Sequence, residues 1–106
     1  MNKLKWEFLA QETAAKDKCD IYTADFSMAY DDLILAKFEF QLNHYQTPKG
    51  YSDVTIAYCS YANSYEEWIE TGIHYDTIEE GEAAAEKILE DLLNGLRKML
   101  DAVASL

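Results

Sequence analysis

Apolar and polar residues alternate with a period of two through most of the first seventy-five positions. In "ILAKFEFQLN", Ile34, Ala36, Phe38, Phe40 and Leu42 fall on one side, and Lys37, Glu39, Gln41 and Asn43 on the other. Successive side chains of a strand point to opposite faces, so this is a strand with one buried face. Leu4, Trp6 and Phe8 alternate with Lys5 and Glu7 in the same way. Tyr22, Ala24, Phe26 and Met28 share a face opposite Thr23, Asp25 and Ser27, and Asp31 and Asp32 then supply turn residues. "VTIAYCSYA" is a further strand with apolar residues on both sides, which points to a central position, and "EEWIETGIHYD" reads as a fifth. The single proline, Pro48, lies in "HYQTPKGYSD", the clearest loop.

After residue 77 the period changes. Ala85, Leu89, Leu92, Leu96, Met99, Val103 and Leu106 recur at intervals of four and three, widened by Ile88, Leu93 and Leu100. That is an amphipathic helix. Thr77 followed by Glu80 is a capping-box signature, with acids in the first turns and Arg97 and Lys98 late. The expected architecture is α+β: an antiparallel meander of four or five strands, covered on one face by a C-terminal helical region, the whole chain 1–106 forming one domain. A helix over 78–104 would be roughly 40 Å long, against about 20 Å for a typical strand. It must overhang its sheet or break, and Asn94–Gly95 marks where a break is expected. An unbroken helix would leave an apolar end in need of a partner, and a second copy is the simplest one. With only about three heptads, an intramolecular core stripe is the favoured reading of the pattern.

Charge sharpens this picture. The chain has 20 acids and 9 bases, a net charge of −11. Residues 66–91 hold ten acids and only Lys87, whereas residues 92–106 hold Arg97 and Lys98 against Asp101. Such a field repels nucleic acid and anionic membranes and attracts basic partners. Glu79, Glu82, Glu86 and Glu90 form one stripe opposite the apolar face, consecutive members roughly 6 Å apart. No apolar run nears the ~20 residues of a membrane span. The first residues lack the apolar core of a signal peptide, so a cytoplasmic setting is expected.

Candidate chemistry is thin. Cys19, His44, Cys59 and His74 are zinc-ligand types, but none form the close pairs that aim two ligands at one ion, so no metal or other cofactor is expected. Two cysteines are too few for a disulfide scaffold and read as free thiols. Cys59 with His74 would be a nucleophilic pair only with an oxyanion-stabilising turn, which the sequence lacks. Adjacent acids such as Asp31–Asp32, Glu66–Glu67 and Glu79–Glu80 do not face one another across a cleft. No enzyme activity is expected. The eight tyrosines instead suggest contact surface, with Tyr61, Tyr65 and Trp68 as aromatic anchors beside the acidic segment.

The profile of size and charge resembles small acidic inhibitors, such as phage anti-defence or immunity proteins. That resemblance implies a non-catalytic protein-binding module or nucleic-acid mimic that docks on a basic, nucleic-acid-binding protein. Its docking face would comprise Tyr61, Tyr65, Glu66, Glu67, Trp68, Glu70, Glu79, Glu82, Glu86 and Glu90. The alternative is a homodimeric structural or small-ligand-binding domain associating through the C-terminal helix or an exposed sheet face.

Overall fold

A computed structural model describes residues 3–14, 17–48, 50–60 and 68–106. The alternating segments form strands β1 (Glu7–Ala14), β2 (Asp17–Tyr30), β3 (Leu33–Gln46), β4 (Ser52–Ser60) and β5 (Ile69–Glu70), and the heptad-like segment forms α1 (Ile78–Ala104). The strands pair antiparallel in chain order, a five-stranded meander covered by a single helix. The fold is the expected α+β architecture.

Register follows from the buried alternation. Tyr22 pairs with Leu42, Ala24 with Phe40 and Phe26 with Phe38, and on the next strand Leu42 meets Ile56 and Phe40 meets Tyr58. These residues share the face under the helix. Phe40, Leu42, Val54, Ile56 and Leu89 are the largest apolar side chains sealed from solvent there. Ile34, the first member of the predicted alternation, is described for its backbone alone. The turns use residues that tolerate a positive φ: Asp31 (53°) between β2 and β3, and Gly50 (84°), whose N–H donates to Thr47 O, between β3 and β4.

β4 is an interior strand, as its two apolar faces suggest, lying between β3 and β5, with β3 the middle one of the five. Two expectations need correction. The fifth strand is much shorter than "EEWIETGIHYD". Gly72 turns at φ 72°, which ends the ladder, and the chain rejoins β4 only through the Val54–Tyr75 bridge. α1 does not break at Asn94–Gly95. Gly95 keeps a negative φ, and Leu92, Leu93 and Leu96 around it pack against the core, which outweighs the ~1 kcal/mol that glycine costs inside a helix. Because the helix runs on to Ala104, Arg97 and Lys98 lie short of its last turn, which holds no base.

The helix start is built as its sequence suggests. Thr77 Oγ1 accepts from Glu80 N at 3.1 Å, and the Glu80 carboxylate reaches back to Asp76 N at 3.3 Å, one residue beyond the usual box partner. Thr77→Ala should therefore cost about 1 kcal/mol in urea unfolding while Thr77→Ser keeps most of it; equal loss in both variants would mean the hydroxyl is not the capping group.

Candidate functional site

The predicted docking residues separate into distinct places. Tyr61, Tyr65, Glu66 and Glu67 lie outside the described residues. Trp68 stands exposed just ahead of β5. Glu70 pairs with Ala57 on β5, and since Ile56 and Tyr58 face the helix, Glu70 lies on the opposite side of the sheet from α1. Glu79, Glu82 and Glu90 line one flank of the helix, as their spacing requires.

Glu86, in the same stripe, has an internal role. Its two carboxylate oxygens accept from the backbone of the segment before β1: Leu4 N at 2.7 Å and Lys3 N at 3.1 Å. This bond ties the chain ahead of β1 to the helix and seats Leu4, which is buried in the core. Nothing local in the sequence signals this, because the partners are more than eighty residues apart.

The remaining helix acids crowd each other. Burial, and then the charge of Glu79, push the Glu82 carboxyl above the usual range. Among the described residues no cation pairs with Glu79 or Glu82, whereas Lys87 is drawn to Asp91 at 3.1 Å. Among the described residues the Glu79–Glu82 end of this flank is negative and has no paired cation, while farther along Lys87 also feels the charge of Glu90.

A second acidic site, missed by sequence reasoning, lies on the open face of the sheet. Tyr45 pairs with Asp53 and Asn43 with Thr55 across β3 and β4, and Ala57 is too small to fill the row beside Glu70. The turn at Gly72 returns His74 over Asp53, where Nδ1–H donates to both carboxylate oxygens at 2.8 and 2.9 Å. These residues bound a cleft of about 410 Å³. The Tyr45 phenol is pushed up by burial, then by Cys19, Glu70 and Asp53. Burial first, then Glu12 and Asp20, also push the Cys19 thiol up, away from the thiolate a nucleophile requires. The cleft thus offers the Glu70 carboxylate, an Asp53 carboxylate shared with His74, a tyrosine ring and the polar side chains of Asn43 and Thr55, which is chemistry suited to an ammonium or guanidinium head.

The residues weighed for catalysis or metal binding are dispersed. The His74 ring sits over Asp53 at the start of β4, about 20 Å along the strand from Cys59. Cys19 pairs with Tyr45 on the open face, whereas His44 belongs to the helix-facing row with Asp20 and Val54. Past the helix start, that row forms a hydrogen-bonded chain. Gln46 Nε2 donates to Asp20 at 2.8 Å and to His44 Nδ1 at 3.5 Å, and His44 Nε2 lies 2.8 Å from Ser52 Oγ. With Nδ1 accepting, Nε2 carries the proton and donates to Ser52, whose hydroxyl donates onward to Asp76 O at 3.0 Å. This polarity is the reverse of a general base activating a serine, and it suits a structural clamp between β4 and the helix start.

Among the described residues no cluster of three or more metal-ligating side chains is present, and no helix is long and apolar enough to cross a membrane. Comparison with protein-family models, curated proteins and solved structures finds no match to this chain.

Proposed function

We propose that the chain is a non-catalytic acidic protein-binding module. It docks on a basic, nucleic-acid-binding protein in a cytoplasmic setting, in the manner of an inhibitor or nucleic-acid mimic. The observation that carries this reading is the helix flank on which Glu79 and Glu82 stand side by side, uncompensated, with Glu90 further along. Holding like charges at this spacing works against folding by a few tenths of a kcal/mol per pair. The same row presents negative charge at intervals a phosphate-binding surface can engage. The cleft around Asp53 and Glu70 supports the same reading, since it suits a lysine or arginine side chain from such a partner.

Glu86 is excluded from the test because its loss would release the segment before β1. Changing Glu79, Glu82 and Glu90 to lysine should slow association with the partner about tenfold or more at low salt and flatten its salt dependence, since charge complementarity acts mainly on the on-rate. The partner is obtained by affinity capture on wild-type protein at low and high salt, followed by identification. The reading predicts a nucleic-acid-binding protein that salt and duplex DNA both displace. Equal capture by the lysine variant, or recovery of acidic partners only, would sink the proposal.

A further inference from the structure

α1 starts part-way along the sheet, with Gly81 over Val54 and Leu42, and its apolar stripe does not stop where the core does. The face buried at Gly81, Ala85 and Leu89 continues through Met99, Leu100, Val103 and Leu106, which are 66%, 68%, 65% and 101% exposed. Met28 and Leu33, beside the β2–β3 turn, are also exposed. A groove runs along each side of the helix here, one between Met28 and Leu100, the other between Ala36 and Met99. We propose that this end of the molecule is a homodimer interface. Two copies pair their α1 ends antiparallel about a two-fold axis near Leu100, each helix end lying in a groove of the other.

Charge selects the occupant. A chain of net charge −11 repels its own copy at most surfaces, yet residues 92–106 carry Arg97 and Lys98 against Asp101 alone. The ten acids of residues 66–91 precede this segment, so antiparallel pairing sends the two acidic halves in opposite directions, whereas parallel pairing would set them side by side. A basic partner of the kind that suits Glu79 and Glu82 would meet Arg97 and Lys98 at this end.

A two-fold interface must complement itself. Arg97 and Asp101 are four residues apart and share one flank of the helix. In an antiparallel two-fold pair like flanks meet, so each Arg97 comes beside the Asp101 of the other copy. On the other flank Gly95 has nothing within 4 Å of where a Cβ would sit, which leaves room for a second helix to approach. The exposed apolar side chains offer on the order of 700 Å² per copy, close to the ~800 Å² per partner of a standard stable interface.

Sedimentation equilibrium of the full chain tests this. The wild type should be dimeric at micromolar to tens of micromolar concentration, and L100E/V103E should weaken association at least 100-fold while helix content and Tm of the monomer stay unchanged. Because any apolar contact would respond to that variant, the charge pair supplies a second readout. Arg97→Asp should weaken the dimer about fivefold, as expected for two exposed ion pairs, and Arg97→Asp with Asp101→Arg should restore it. A wild type that remains monomeric at 200 μM, or a dimer indifferent to L100E/V103E, overturns the interface. Weakening without restoration in the double swap overturns the antiparallel arrangement, and oligomers that keep growing with concentration overturn the closed two-fold.

Discussion

Truncating Phe40 to alanine should remove about 3–5 kcal/mol of stability, the range for a large aromatic taken out of a packed core. Phe40 is fully buried at the middle of β3, between Ala24 on β2 and Tyr58 on β4, and its ring stacks on that of Tyr58 at 5.8 Å with an interplanar angle of 29°. Leu89 and Ile56 belong to the same cluster. Among the described residues that face is covered by α1 and the segment carrying Leu4 and Trp6, both already anchored, so few neighbours can move in to fill the space. A domain of this size is held by about 5–15 kcal/mol in total, so the loss is about a fifth of it or more. Urea denaturation would show a large drop in midpoint. An unchanged m-value would mean that the native state keeps its compactness, and a reduced one that the two layers have loosened. Phe40→Leu should cost about 1.5 kcal/mol or less. A loss below ~1 kcal/mol for the alanine variant would mean that the core is not centred on this residue.

Gly81→Val should be destabilising by about 3 kcal/mol, from overpacking rather than from a cavity. Gly81 is where the first turn of α1 rests on the sheet. A Cβ there would lie 2.7 Å from Val54 Cγ1 and 3.1 Å from Leu42 Cδ1, both on sealed side chains. Val54 is β-branched and has little rotamer freedom with which to yield, so the helix start must lift. Gly95, fourteen residues along the same helix, has open space around it. There, Gly95→Ala should stabilise by up to about 1 kcal/mol through helix propensity alone. Opposite signs at the two glycines, read as urea midpoints, would locate the close approach. Stabilisation at both would show that the first turn sits farther from Val54 than the packing requires.

Much of this fold was legible because its determinants are local. The alternation from Ala36 to Leu42 specifies which face of β3 is buried, and the Thr77–Glu80 pair specifies where the helix starts. What escaped the sequence depends on neighbours distant in the chain. Whether Gly95 ends the helix is decided by the Leu92–Leu96 packing around it, and "NG" alone gives the wrong answer. The length of the fifth strand is decided by the backbone angle at Gly72. For the candidate site, the spacing of Glu79, Glu82, Glu86 and Glu90 gave a single stripe but set it opposite the apolar face, whereas it lies on that face's flank with Glu82 and Glu86 partly buried. It could not reveal that Glu86 is engaged by Lys3 N and Leu4 N, or that Glu70 belongs to the other layer. The Asp53–His74 cleft was invisible for the same reason: it exists only once β3, β4 and the segment after β5 are in register.

The order of elements along the chain also shapes how the protein comes to be made. Each strand pairs with its successor, so the sheet is built of consecutive hairpins. The helix that seals it follows all five strands. During synthesis, Phe38, Phe40, Leu42, Val54 and Ile56 therefore face water until α1 emerges, the interval in which an unsealed sheet is prone to stick to its neighbours. The most acidic segment of the chain, residues 66–91, spans the end of that interval and the first half of α1. The nascent protein therefore gains its electrostatic repulsion as the element that closes its core emerges.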